Sequence, residues 1–223
     1  DALATTGQRI PAPERRRIDR IIAAMERRYP DTRPGLSFAD PFQLLVCTIL
    51  SAQTTDRQVN GIAPALFKKY PTPAALAGAA PADVESIIRP VGYYRQKAIS
   101  IIRAAEALVN DHNGVVPKTM SDLTRLRGVG RKTANCVLSH AYGINDGVTV
   151  DTHVKRLALR LGLTQSTDPE KIEQDLMQRI PQKIWNRFAH QLIDHGRSIC
   201  DARRPDCAHC ELNKECPSAT DRL

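Results

Sequence analysis

The sequence predicts an all-α protein, and three observations carry that prediction. Apolar residues recur at three- and four-residue intervals through most of the 223-residue chain. Aromatic residues are only 4% of the total, sparse for an all-β protein. No segment alternates convincingly with a period of two, although residues 148–150 could briefly extend. At this length the chain can form one compact domain or two small interlocked ones.

Taken in order, residues 1–17 read as a polar, partly disordered tail, with Pro11, Pro13 and the run Arg15, Arg16 and Arg17 leading into a helix. Ile18, Ile21, Ile22 and Met25 supply that helix's apolar stripe, and it stops at Tyr29-Pro30. Pro41 opens a strongly apolar helix over residues 42–52, fit for complete burial. Asp56 is the candidate N-cap of a segment running to Tyr70, with Pro64 predicting a bend or break inside it. Two short helices follow around residues 73–79 and 81–89. A long helix over residues 94–110 places Ile99, Ile102, Ala105 and Leu108 on its inner face. Past Asn113-Gly114 come helices over residues 121–126 and 131–142. Asp151 opens the next, with Val154, Leu157, Ala158 and Leu161 in register and Gly162 as its stop. Asp168-Pro169 begins another, and residues 182–199 form the last long one. Arg89-Pro90-Val91-Gly92 precedes a helix much as Arg127-Gly128-Val129-Gly130 does, so a helix, tight turn, helix unit occurs twice. Internal repetition and chance similarity of short turns both explain it.

Lys and Arg number 32 against 24 Asp and Glu, a formal charge of +8. Such a surplus suits a polyanionic partner such as nucleic acid without requiring one. No run approaches the ~20 apolar residues of a membrane helix. The N-terminal residues lack the apolar centre of a signal peptide, so an intracellular protein with no membrane partner is expected, and a monomer.

Of the six cysteines, Cys47 and Cys136 sit alone in apolar helical segments and read as buried free thiols. Cys200, Cys207, Cys210 and Cys216 crowd together in the spacing Cys-x6-Cys-x2-Cys-x5-Cys. In an intracellular chain this suggests metal ligation before disulfides. Four thiolates suit tetrahedral zinc or an iron–sulfur cluster. Structural zinc usually takes two close Cys pairs, and only one is present here.

Leu126-Arg127-Gly128-Val129-Gly130-Arg131-Lys132-Thr133-Ala134-Asn135 is the most informative stretch in the middle of the chain. Two glycines one residue apart permit backbone conformations closed to other residues and leave bare N–H groups. The helix beginning at Arg131 adds its positive end, so a phosphate can sit against Gly128, Val129 and Gly130 with Arg131 close by. Such contacts position DNA without reading its sequence. An ordinary helix–helix turn also favours glycine. The flanking Leu126 and the run from Arg131 to Asn135 make the segment, about residues 121–142, a helix–hairpin–helix signal.

That stretch, followed by Val150-Asp151-Thr152-His153-Val154-Lys155-Arg156, resembles the endonuclease III branch of the helix–hairpin–helix DNA glycosylases, and the resemblance spans about residues 38–217. It implies base-excision repair by a bifunctional enzyme. A DNA N-glycosylase activity would remove oxidised or damaged pyrimidines, and an abasic-site lyase would cleave 3′ to the lesion by β-elimination. Lys132 is implied as nucleophile and Asp151 as its partner. The partner molecule is double-stranded DNA carrying a damaged base or abasic site. The resemblance also implies a two-domain fold: a helical barrel over residues 35–144, and a domain built from residues 18–34 and 145–223, with a DNA-binding groove between them. The segment joining Lys132 to Asp151 is one residue longer than the family leads one to expect, and Asn145-Asp146-Gly147 would absorb it in a loop.

The chemistry of these residue types agrees. Lys132 lies in the first turn of a helix, where the dipole disfavours added positive charge, and partial burial would act in the same direction. A neutral amine can attack the sugar C1′ of a flipped nucleotide, expel the base and leave a Schiff base. Asp151 can cap its own helix and stabilise positive charge on the sugar while aiding proton transfer. Alone, a lysine in a basic protein is usually a solvated charge and an aspartate at a helix start usually a cap. Their joint presence beside the hairpin favours catalysis. His153 either lines the base pocket or is structural, and His140 is equally open.

The segment from Ser51 to Asp56 resembles the family's loop that places a glutamine in the space left by the flipped base, which makes Gln53 the plug. Val91-Gly92-Tyr93-Tyr94 matches the loop acting on the opposite strand. An aliphatic wedge is common there after Gly, and Tyr93 departs from it while remaining able to stack. The cysteine pattern matches the family's [4Fe–4S] site, over residues 200–216. Arg203, Arg204 and Lys214 lie within its loops, so the cluster would pin a basic projection against phosphates. The adenine mismatch glycosylase shares hairpin and cluster but lacks a lysine at the nucleophile position. A non-catalytic module that only binds DNA would leave the pairing of Lys132 with Asp151 unexplained.

Overall fold

The computed structural model describes residues 10–32 and 35–220, and among them there is no strand. The helices are α1 (Ala12–Arg28), α2 (Pro41–Leu50), α3 (Asp56–Lys69), α4 (Pro73–Ala77), α5 (Pro81–Ile88) and α6 (Tyr94–His112). They continue as α7 (Met120–Arg125), α8 (Arg131–Tyr142), α9 (Thr152–Arg160), α10 (Pro169–Arg179) and α11 (Trp185–Ser198). The chain divides into two compact units, one of residues 34–146 and one of residues 1–33 with 147–223. No helix among the described residues is long and apolar enough to cross a membrane.

In the unit of residues 34–146, α2 is the central element. Asp40 caps it, its carboxylate accepting from the Gln43 N–H at 2.8 Å, and Pro41 occupies the first turn. Phe42, Leu44, Leu45, Val46, Cys47, Ile49 and Leu50 are all buried, as a helix packed on several sides requires. It touches α3, α6 and α8, while α6 also packs against α4 and α5. Three details differ from the local reading. The N-cap of α3 is Thr55, which accepts from Gln58, and Asp56 sits in the first turn. Of the bend or break expected at Pro64, the break does not occur, since α3 runs through it. It is on the exposed side, and the buried Val59, Ile62, Ala63, Leu66 and Phe67 hold both halves of the helix to the core. Ile99 is 41% exposed, because the inner stripe of α6 runs through Ala98, Ile101, Ile102, Ala105 and Leu108 instead.

The other unit is built on α1, α9, α10 and α11. Helix α1 starts at Ala12, six residues ahead of the apolar stripe, so residues 12–17 are helix and not tail; residues 1–9 lie outside the described residues. Long-range bonds account for the earlier start. The Arg15 guanidinium donates to the Arg179 carbonyl at 2.7 Å, and Arg17 donates to the carbonyls of Leu161 and Glu215, each at 2.8 Å. Ile18, Ile21 and Met25 are fully buried, each worth roughly 1.5–3 kcal/mol. Helices α1 and α9 both pack on α11, and α9 also meets α10. The last helical segment is split into a 3-10 turn (Gln182–Ile184) and α11, with the Trp185 indole N–H bonded back to the Ile180 carbonyl at 2.8 Å.

Candidate active site

The hairpin joins α7 to α8. Thr119 caps α7 by accepting from the Asp122 N–H, and the Val129 N–H closes the turn on the Leu126 carbonyl at 3.1 Å. The two glycines differ. Gly128 has φ +82, and a Cβ there would stand 3.1 Å from Ser100 Cβ and 3.2 Å from Ile49 Cγ2. A side chain there is strained in conformation and tight against both neighbours. Gly130 is extended, with φ −91 and ψ 177, and a Cβ would meet nothing within 4 Å. The conformational argument therefore holds for Gly128 alone. What Gly130 leaves is open space over the N-terminal end of α8, with no side chain capping its first turn. The Val129 side chain is buried in the core, so its backbone is what remains for a ligand.

Arg131 and Lys132 are both exposed on that first turn. The partial burial expected of Lys132 is absent. Ala134, Val137 and Leu138 form the inner face of α8, and at ~100° per residue Lys132 points away from them. One turn on, half-buried Cys136 lies beside Thr48 of α2, and the His140 ring bonds to the Cys136 carbonyl at 2.8 Å through Nδ1. Burial lowers the pKa of His140, and its bonds here lie within α8's own packing.

Gln53 and Tyr93 share an unusual backbone state: both are left-handed, with φ +54 and +57. Both are exposed, Tyr93 by 68%. Sequence reasoning overlooked the residue between their loops. Lys97 is buried, and its ammonium donates to the Leu50 carbonyl at 2.8 Å and to Thr54 Oγ1 at 2.7 Å. Its position next to Ala98 and one turn before Ile101, within the inner stripe of α6, is the signal that exposes it.

In the other unit, Asp151 is half-buried and caps α9, Oδ1 accepting from the Val154 N–H at 2.8 Å. His153 Nδ1 lies 3.1 Å from Arg156 Nη2, which also donates to the carbonyls of Gly196 and Cys200. A Cβ on Gly196 would stand 2.9 Å from both of those nitrogens, so a side chain there would displace the Arg156 or His153 side chain from α11. His153 is thus half-buried in the α9–α11 packing.

Cys200, Cys207, Cys210 and Cys216 are free thiols, half-buried, and all four line one cavity together with Leu157, Arg160 and His195. Arg160 Nη1 donates to Cys200 Sγ at 3.1 Å, and His195 Nε2 is 3.4 Å from Cys210 Sγ. Burial pushes the Cys210 thiol up to about 11. Among the described residues no three His, Cys, Asp or Glu are arranged to grip a single ion. Four thiols around one cavity are a donor set that both zinc and an iron–sulfur cluster take. Arg203 and Arg204 are exposed, their backbone N–H groups tied to Asp201 Oδ1 at 2.8 and 3.1 Å.

The all-helical fold is shared with a known class. The model of the HhH-GPD superfamily of base excision DNA repair proteins matches residues 46–182, and the chain belongs to that family. Within it, the chain is similar to endonuclease III: it is 49% identical to that of Synechocystis over 93% of this chain and 95% of the relative, and 37% identical to that of Escherichia coli K12 over 88% and 92%. A solved endonuclease III–DNA covalent intermediate, trapped as an estranged-adenine complex, matches with a TM-score of 0.87 at 37% identity, covering 92% of this chain and 96% of that one. A thermostable thymine-DNA glycosylase shares the fold, with a TM-score of 0.83 at 22% identity. The activity class is therefore DNA glycosylase and abasic-site lyase in base-excision repair.

Proposed function

We propose that the chain excises oxidised pyrimidines from double-stranded DNA and then cleaves 3′ to the abasic site through a Schiff base on Lys132. The observation that carries this reading is an exposed lysine in the first turn of α8, directly after the open Gly130 turn. Backbone N–H groups and the helix's positive end would receive a phosphate there, with Arg131 alongside. Lys132 Nζ attacks C1′ as the base leaves with a proton, and the imine so formed acidifies C2′. Loss of the C2′ proton then breaks the C3′–O bond. Asp151 balances the positive charge on the sugar and helps move the proton, in addition to capping α9.

Gln53 fills the space left by the flipped nucleotide and Tyr93 stacks against the opposite strand. Their exposure on left-handed turns supports both roles. Cys200, Cys207, Cys210 and Cys216 would hold a [4Fe–4S] cluster, supported by the donor set and the shared cavity. When bound, that group braces the loop bearing Arg203 and Arg204 for phosphate contact; the lyase chemistry needs no electrons from it. His153 contributes through α9–α11 packing, which supports a structural role over a pocket role. The protein would work as a monomer inside the cell, where thiols stay reduced for ligation.

The test is borohydride trapping on a duplex with one thymine glycol or one abasic site. Wild type is expected to form a covalent adduct, and a folded, DNA-binding Lys132→Gln variant none. A cluster-loaded, DNA-binding wild type that forms no adduct overturns the lyase chemistry and leaves a glycosylase without Schiff-base formation.

A further inference from the structure

We propose that Lys97 is a positioning residue that locks the Gln53 loop and the Tyr93 turn into one preset element for opening the duplex. The inference rests on the glycosylase reading above. It begins from a buried charge: Lys97 is 6% exposed, and both oxygens it donates to are neutral. Burial lowers its pKa, as expected of an ammonium without a carboxylate beside it. An apolar side chain of similar length would fill this space without the desolvation cost, so stability alone does not explain a lysine here.

The location does explain it. Leu50 is the last residue of α2, and its carbonyl is one of the helix's unsatisfied acceptors at the negative end. Thr54 lies in the loop that follows, one residue past Gln53. Lys97 is in the first turn of α6, and its backbone N–H bonds to the Tyr93 carbonyl at 3.0 Å. The side chain therefore ties the end of α2 and the Gln53 loop to the first turn of α6, which follows Tyr93; the bond to the Tyr93 carbonyl is a backbone bond that any residue at this position makes. The loops also touch directly, since a Cβ on Gly92 would stand 3.8 Å from both the Gln53 carbonyl and Thr54 Oγ1. Gln53 and Tyr93 are two of the three left-handed non-glycine residues among those described, and the third, Asn113, is a helix C-cap. Such conformations persist only where the surroundings over-determine them. By fixing the end of α2 and Thr54 against α6, the side-chain bonds of Lys97 contribute to that constraint, so the two side chains meet DNA already set and little order is lost on binding.

The test uses full-length, cluster-loaded Lys97→Met under single-turnover conditions. One duplex carries a thymine glycol, which must be extruded. The other carries an abasic site, where no base has to be extruded, and is read by borohydride trapping. Losing a charged donor to two acceptors should slow excision about tenfold or more. Trapping at the abasic site should stay within about twofold of wild type, an expectation from the same reasoning. The rise in 2-aminopurine fluorescence opposite the lesion should be blunted. Equal loss on both duplexes, or none on either, overturns the positioning role. If Lys97→Met does not fold, Thr54→Val removes one acceptor and is held to the same comparison. A wild type that neither excises nor traps overturns the enzymatic reading itself, which an active wild type with an unaffected variant does not.

Discussion

Arg160 donates from Nη1 to Cys200 Sγ at 3.1 Å, and the same guanidinium donates to the carbonyls of Asp201 at 2.7 Å and Ala202 at 2.9 Å. Helix α9 thus carries Asp151 at one end and the clasp of the cysteine loop at the other. Arg160→Leu would leave those exposed carbonyls to water and free the first turn of the loop, at about 0.5–1.5 kcal/mol. The expected outcome is a lower Tm and, where the proposed cluster is bound, faster bleaching of its visible absorbance under a chelator. Because the Asp151 cap is untouched, borohydride trapping by the still-loaded fraction should persist.

The observed cap of Asp151 and its proposed part in catalysis are separable, and asparagine separates them. Asn caps a helix about as well as Asp, so Asp151→Asn should change stability by less than about 0.5 kcal/mol. Loss of the carboxylate should still slow turnover by roughly 10²-fold or more. Thermal unfolding and single-turnover cleavage measured on the same preparation check both halves. Equal stability with near-normal turnover would reduce Asp151 to a cap.

The hairpin glycines should respond in opposite ways. Gly128→Ala places a methyl group against Ser100 and Ile49 in a left-handed conformation, and about 1–3 kcal/mol of destabilisation is expected. Gly130→Ala meets no atom within 4 Å and adopts an ordinary extended backbone, so its Tm should hold. Its methyl group would obstruct a phosphate at the start of α8, and duplex affinity should fall with a reduced salt dependence. Denaturation curves paired with salt-titrated binding distinguish the two.

The Glu14–Arg17 pair at 2.7 Å makes a pH-dependent contribution. The hydrogen bond from Arg17 holds the Glu14 carboxyl below its ordinary value of 4.5. A depressed carboxylate stabilises the fold above that value, and the contribution is lost as pH falls through the lower, folded-state value. Glu14→Gln should therefore lower Tm at neutral pH, by an amount equivalent to less than about 1 kcal/mol because both groups are partly solvated. The gap between variant and wild type should close on acidification below 4.5. A gap constant with pH would mean packing, not charge, is what Glu14 contributes.

By itself the sequence determined the features that depend on neighbours a few residues apart. Helical periodicity settled the all-α class, Asp151 could be read as the cap of α9, and the spacing of Cys200, Cys207, Cys210 and Cys216 marked them as one group; all four line one cavity. The run from Leu126 to Asn135 carried the family likeness because a hairpin and a helix start are built from consecutive residues. Tertiary structure alone decided which side chains face inward. Lys132 is outside although partial burial was expected, Lys97 is inside although it is a lysine, and Ile99 is outside although it is an isoleucine. Helix α1 extends back to Ala12 because Arg15 and Arg17 bond to carbonyls of Arg179, Leu161 and Glu215. Burial and long-range hydrogen bonds are set by residues distant in the chain; local periodicity gives a register, as it does for Lys97 in α6, but not the partners.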